Sequence, residues 1–380
     1  MSDGTPIKGS LLDVQVRFSR ATGGKAFQLD AKFQVPAGIT ILFGPSGAGK
    51  STLLDCISGL LRPGNARIVL QGSVLQDSTM RIFQAPRQRY IAYLFQSPAL
   101  FPHMTVQQNA EFGLRGKRSA DREEDHSQKK NAAANLLEMF RVAHLRERKA
   151  CEISGGEAQR VALARSLATS PRAVLLDEPL KGLDADLKSS IVDDLRSWNR
   201  THGVPILYVT HHRDEVDALG ERVIALEDGR VVNTGAPHAV LDAPRTKRLA
   251  HAAGFENFIS AHILELREGD GVMRARLDGS QTELELPLGH AMAGDRVRVA
   301  IRAGDILLAS QRPAGLSARN ILEGTVESIE LRGATVICRV DAGVGFQVHV
   351  TPGALRSLDL AAGSRVWLVI KTHSCQLLED

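Results

Sequence analysis

An α/β domain on a mainly parallel sheet, followed by a small all-β barrel domain, is the fold class that this 380-residue chain predicts. Three observations carry it. Short, wholly apolar runs at residues 39–43, 173–176 and 206–209 alternate with helical spacing as far as about residue 240, and strands of that kind belong to a parallel sheet buried on both faces. A glycine-rich loop at residues 44–52 stands between the first run and a helical stretch at 51–60. Beyond residue 240 the period changes to two, at 297–301, 325–329 and 346–350, with Gly-Asp, Asp-Gly and Pro-Gly turns separating runs that read as hairpins.

In an open α/β sheet, ligands collect at the carboxyl ends of the strands, so each run is read by the residues at its carboxyl end. Gly44-Pro45-Ser46-Gly47-Ala48-Gly49-Lys50-Ser51-Thr52 fits G-x-x-x-x-G-K-S/T between strand and helix. That is a P-loop, whose amides wrap the phosphates of a nucleoside triphosphate at a helix N-terminus. Lys50 should reach the outer phosphates and Ser51 should ligate magnesium. Gln96 ends the run at 91–95; a glutamine there can touch magnesium or the lytic water while its loop reaches a partner. The charged stretch 113–130 reads as a solvated loop opening a surface helix. Asp177 closes the run at 173–176 and can hold a magnesium-bound water beside Ser51. Glu178 is superfluous for metal, which suits a general base, and Pro179 ends the strand; two acids and a proline at a helix start is the competing account. His211 ends the run at 206–209 and can contact a γ-phosphate, although His212 beside it leaves the acting ring open.

Ser154-Gly155-Gly156-Glu157 opens a helix rich in alanine, leucine and arginine. Glycine amides at a helix start bind anions, yet the P-loop already serves this chain's phosphates. A second such start makes sense if it caps the γ-phosphate held by another subunit. A plain N-cap at Ser154 is the alternative.

These five segments, over roughly residues 12–240, resemble the nucleotide-binding subunits of ABC transporters: a P-loop cassette with a helical subdomain. The run Phe95-Gln96 with Leu100-Phe101-Pro102-His103 is similar to that of ATPases serving bacterial importers. The resemblance implies ATP and Mg2+ as ligands, Glu178, His211 and Gln96 as catalytic, and Ser51, Gln96 and Asp177 at the metal. It further implies a homodimer that sandwiches ATP between one P-loop and the other signature, 154–157. Closure would drive integral membrane permease subunits at the cytoplasmic face of the inner membrane, fed indirectly by a periplasmic or extracellular oxyanion-binding protein. Four positions depart from the family pattern. Glu157 replaces a glutamine, Lys181-Gly182 replace two small residues, His212 replaces an aspartate, and the adenine-stacking aromatic is not obvious, Phe18 being the choice.

Residues 62–72 and Gly254-Phe255-Glu256-Asn257 resemble the ATPases of molybdate importers. In the tail, Leu316-Ser317-Ala318-Arg319-Asn320 resembles the opening of a molybdate-binding (Mop/TOBE-like) fold and Ile370-Lys371-Thr372 its closing strand. Ser317, Arg319, Asn320 and Lys371 suit a tetrahedral oxyanion such as molybdate. The expected divisions are 1–240 for the cassette, 241–314 for a linker and first barrel half, and 315–380 for the second. An internal repeat is expected from Gly294-Asp295-Arg296-Val297 against Gly363-Ser364-Arg365-Val366. Sugar, polyamine, iron and sulfate importers carry similar barrels, some of them regulatory, so another solute and a tail that binds nothing stay open. A non-transport ABC ATPase is a further alternative.

A net charge of +4 with 24% charged residues gives little support to nucleic-acid binding. No apolar stretch reaches the roughly 18–20 residues of a membrane span, and residues 1–10 lack an apolar signal core. Cys56, Cys151, Cys338 and Cys375 show no metal or disulfide spacing and read as reduced thiols.

Overall fold

The structure, a computed structural model, describes residues 10–22, 25–114 and 123–378. The expectations for the first nine residues and for the middle of the charged stretch, 115–122, lie outside the described residues. The chain divides into two compact units, Met1–Val240 and Leu241–Asp380.

The first unit opens with β1 (Ser10–Thr22), β2 (Lys25–Pro36) and β3 (Gly38–Phe43), then the P-loop and α1 (Lys50–Ser58). β4 (Asn65–Leu70), β5 (Ser73–Asp77), β6 (Ile82–Phe83) and β7 (Ile91–Leu94) come after it. A helical section is next, α2 (Val106–Glu111), α3 (Glu123–Met139) and α4 (Gly155–Ala168). The chain returns to the sheet through β8 (Ala173–Asp177), α5 (Ala185–His202), β9 (Pro205–Val209), α6 (Arg213–Leu219), β10 (Arg222–Glu227) and β11 (Arg230–Gly235). Among the described residues these eleven strands form one sheet in the order β6-β5-β4-β1-β2-β11-β10-β3-β9-β8-β7.

The sheet is parallel from β10 through β3, β9 and β8 to β7, and again at the single β11–β2 pairing of Arg230 with Asp30. The mainly parallel expectation therefore holds for the strands that carry the site motifs and not for the remainder. The reason lies in tight hairpins. Gln71 and Gly72 both have positive φ, 47° and 76°, as do Asp228 and Gly229, 45° and 76°, the two-residue geometry that returns a strand antiparallel. The central parallel strands are buried along their length: every residue of β8 and of β9 is buried, which is why the runs 173–176 and 206–209 are apolar.

The second unit begins within the short helix α7 (Pro237–Leu241) and continues through α8 (Lys247–Ala252) into strands. β12 (Asn257–Arg267), β13 (Val272–Leu277), β14 (Glu283–Pro287), β15 (Arg296–Ile301) and β16 (Leu307–Ala309) come first. β17 (Asn320–Arg332), β18 (Thr335–Asp341), β19 (Gly345–Val350), α9 (Pro352–Ser357), β20 (Arg365–Ile370) and β21 (Gln376–Leu378) come second. They form two five-stranded sheets, β14-β13-β12-β15-β21 and β16-β20-β17-β18-β19.

The expected repeat is present and extends further than the strands that suggested it. β12 pairs with β15 from Asn257 opposite Ile301, and β17 pairs with β20 from Asn320 opposite Ile370. Bulges interrupt both first strands at matching places, Ile263/Glu265 and Val326/Ser328. The halves also exchange their last strands: β16 pairs with β20 of the second half, and β21 pairs with β15 of the first. One apolar core, including Ile263, Met273 and Leu286 with Val326, Cys338 and Phe346, serves both sheets.

Candidate functional site

The P-loop leaves β3 at Gly44, where a Cβ would stand 2.0 Å from the Leu226 carbonyl oxygen; only glycine permits that approach. The loop ends at Gly49, whose left-handed φ of 100° starts α1 without a side-chain cap, so the first amides of the helix are left for a ligand. Lys50 folds back over the loop, its Nζ donating to the Gly44 and Pro45 carbonyls at 2.8 and 2.9 Å. Burial lowers the pKa of this ammonium, opposed by the charges of Glu178 and Asp177.

The parallel order brings the other predicted groups to the same edge. A cavity of about 360 Å³ is lined by P-loop residues from Ser46 to Thr52 and by Gln96, Asp177 and Glu178. Asp177 is buried at the end of β8. Burial raises its pKa, while a hydrogen bond from Ser51 pulls the other way. Glu178 has a left-handed φ of 49°, a conformation that costs a non-glycine residue about 1–3 kcal/mol and persists where the surroundings enforce it. Its amide donates to the Val209 carbonyl at 3.0 Å, which ties it to the end of β9. Gln96 Nε2 donates to Glu178 Oε2 at 2.9 Å, and His211 Nδ1 lies 2.9 Å from Oε1. Burial pushes the Glu178 carboxyl up, but Lys181 and His211 more than offset it and hold it below the usual range. Of the histidine pair, His211 faces Glu178; His212 packs its ring 4.1 Å from His211 and donates its amide to the Thr210 hydroxyl.

Phe18, expected beside adenine, lies elsewhere. It pairs with Leu29 across the β1–β2 hairpin and lines a separate depression with Arg17, Asp30, Arg62 and Arg230. The aromatic on the P-loop cavity is Phe27, which faces Arg20 two residues along the same hairpin. A Cβ built on Gly49 would come within 2.6 Å of Phe27 Cζ, so the ring lies against the loop. Its signal was an aromatic near the start of the strand upstream of the P-loop.

The segment 154–157 does not line this cavity. Ser154 is the N-cap of α4: its hydroxyl accepts from the Glu157 amide at 3.4 Å, and Glu157 Oε2 accepts from the Ser154 amide at 2.7 Å and hydroxyl at 2.8 Å. The glutamate that departs from the family pattern therefore completes a capping box. Gly155 has open space at its Cβ position, whereas a Cβ on Gly156 would meet Leu183 Cδ2 at 2.7 Å. The cap and the glycine surface coexist. Arg165 on the same helix donates to the Pro98 and Ala99 carbonyls at 3.0 and 2.9 Å, which joins α4 to the loop after Gln96.

In the second unit Ser317, Arg319 and Lys371 are exposed. Asn320 does not stand with them. It is buried, with Oδ1 accepting from the Glu285 amide at 2.6 Å and Nδ2 donating to the Glu285 carbonyl at 2.9 Å. Its repeat counterpart Asn257 does the same to Gln347, at 2.7 and 2.9 Å. Asn320 is thus a clamp between the sheets, and its assignment to an oxyanion is corrected. Arg319 has Glu256 as its counterpart, and the Glu256 carboxylate accepts from the Ala303 amide at 2.8 Å.

The sequence matches the family described as ABC transporter over residues 29–181 and the TOBE domain over 316–377. The molybdenum import ATP-binding protein ModC of Rhizobium meliloti (strain 1021) is 37% identical over 358 residues, covering 91% of this chain and 95% of its own length. ModC of Pseudomonas fluorescens is 35% identical over 92% of this chain and 96% of its own. The dimeric ABC transporter cassette MJ0796 superposes with a TM-score of 0.53 at 27% identity, over 60% of this chain and 99% of that one. Its post-hydrolysis state bound to ADP and Pi gives 0.52 at 26%, over 60% of this chain and 99% of that one.

Proposed function

This chain belongs to the ABC transporter ATPases, within the family of molybdenum import ATP-binding proteins, and from that premise we propose that it hydrolyses ATP to drive molybdate import. The observation that carries the catalytic part is the convergence of Gln96, Asp177 and Glu178 on the cavity of Lys50 and Ser51, with His211 against the Glu178 carboxylate. ATP is the substrate. Lys50 and the amides at the start of α1 would hold its phosphates, and Phe27 its base. Glu178 takes a proton from the attacking water, while His211 and Gln96 orient that water and report the γ-phosphate.

Mg2+ fits the donor set: a hydroxyl on Ser51, one buried carboxylate on Asp177 and an amide oxygen on Gln96 are hard ligands, few enough to leave room for water and phosphate. When bound, the ion neutralises charge on the phosphates.

The working unit is a homodimer in which 154–157 of one protomer caps the nucleotide on the P-loop of its partner. The coexistence of the Ser154 cap with the open surface at Gly155 supports this. No helix among the described residues is long and apolar enough to cross a membrane, so integral permease subunits would provide the path, with this chain at the cytoplasmic face of the inner membrane. A periplasmic or extracellular oxyanion-binding protein delivers the solute. In the second unit, Ser317, Arg319 and Lys371 form the oxyanion site. The repeat supports it: where the first half presents the anion of Glu256 to an amide, the second has Arg319 and calls for an external anion.

Uptake of radiolabelled molybdate by cells lacking this chain tests the reading. Uptake should be lost, restored by the wild-type chain and not by Lys50→Ala. Undiminished molybdate uptake in the deletion strain would refute the solute assignment. A purified Lys50→Ala chain with normal ATP affinity would refute the P-loop assignment.

A further inference from the structure

Glu178 carries three donors. Gln96 Nε2 and Lys181 Nζ reach Oε2 at 2.9 and 3.2 Å, and His211 Nδ1 stands 2.9 Å from Oε1. Two of these, Gln96 and His211, are shared: each keeps a second polar atom, Oε1 and Nε2, for the metal, the water or the γ-phosphate once ATP is bound. Lys181 does not line the nucleotide cavity and is given no contact with ATP. It is bound to Glu178 a second way: the Lys181 amide donates to the Glu178 carbonyl at 3.3 Å in the tight turn after β8. That turn has left-handed backbone at both ends, φ 49° at Glu178 and 78° at Gly182. Backbone strain of this kind is held by its surroundings and sets where the Glu178 side chain starts. The lysine holds where it ends.

We propose that Lys181 is a positioning residue for the catalytic base: it is the donor dedicated to Glu178, keeping Oε2 directed at the water position while Gln96 and His211 also serve the nucleotide. The inference rests on Glu178 being the base. The Lys181 side chain is 56% exposed and that of Glu178 17%, so solvent screens the pair and its contribution is that of a partly exposed ion pair.

The experiment uses the full chain and steady-state Mg-ATP hydrolysis. Lys181→Ala should lower kcat about two- to five-fold, with KM for ATP within about twofold of wild type. Lys181→Arg, which keeps a donor on a stem of similar length, should retain most of the activity. In a Glu178→Gln background, Lys181→Ala should change neither the residual turnover nor ATP-driven dimer formation, because the partner through which it acts has already been altered. An unchanged or raised kcat in Lys181→Ala, a KM that rises in proportion, or Lys181→Arg as impaired as Lys181→Ala would overturn the proposal. So would weakened dimer formation in the Glu178→Gln background, which would make Lys181 an interface or turn residue. If Glu178→Gln alone keeps wild-type turnover, the assignment of the base fails, and this inference with it.

Discussion

Replacing Phe27 with alanine should weaken ATP binding, and replacing Phe18 should not. Phe27 lines the P-loop cavity with its ring against Gly49, whereas Phe18 sits in a separate depression among Arg17, Arg62 and Arg230. A base stacked on an aromatic ring is worth about 1–3 kcal/mol by alanine substitution. At about 1.4 kcal/mol for each tenfold in affinity, that is a loss of about 5- to 150-fold in Kd. Titration of each variant with a fluorescent ATP analogue, and competition by ATP, measures it. Inorganic tripolyphosphate is the control: it engages the P-loop without a base, so its affinity should be the same in wild type and Phe27→Ala. If tripolyphosphate binding falls as far as ATP binding, the ring supports the loop through Gly49 and does not stack on adenine. If Phe18→Ala carries the loss instead, the reading of the hairpin is wrong.

Glu178→Gln should retain ATP binding, lose at least about a hundredfold in turnover, the scale of a removed general base, and accumulate as an ATP-bound dimer by size-exclusion chromatography; undiminished turnover contradicts the role. Asn257→Ala and Asn320→Ala should each destabilise the second unit by about 2–6 kcal/mol, since each strands a backbone amide and a carbonyl at about 1–3 kcal/mol apiece. Calorimetric unfolding of the full chain would show two similar losses, and a neutral Asn320→Ala would reopen its assignment to the oxyanion. The wild-type chain should bind one molybdate by equilibrium dialysis, and Glu256→Arg, which copies Arg319 into the first half, should bind a second. Continued binding of one by a folded Glu256→Arg chain would mean that the two halves are not equivalent at that position.

The groups proposed to be catalytic could be picked out because each stands at or just beyond the end of an apolar run. Asp177, Glu178, His211 and Gln96 could be read one strand at a time, and the parallel order then brings them together without further information. What escaped depends on pairs distant in sequence or on the rung of a hairpin. Phe18 and Phe27 are both aromatics in the same hairpin, and only the register, Phe18 opposite Leu29 and Phe27 opposite Arg20, decides which one reaches Gly49. Lys181 read as a departure from the family pattern bearing on rate alone, because its ion pair with Glu178 needs the turn that begins at the left-handed Glu178.

The barrel makes the same point at longer range. Similarity between residues 294–302 and 363–371 marked a repeat, but nothing local shows that β16 pairs with β20 and β21 with β15. That exchange changes what a cut at residue 314 does. It would strip β16 from the second sheet, leave β21 without β15, and open the core shared by both sheets, so residues 315–380 alone should not fold to a stable barrel. The Asn257 and Asn320 clamps reinforce this, since each crosses from one half to the other. Truncation from residue 241 removes the unit whole. Comparing the two truncations by basal ATP hydrolysis and solubility tests whether the halves fold as one: loss of solubility for the cut at 314 alone supports the exchange, and equal behaviour of both contradicts it.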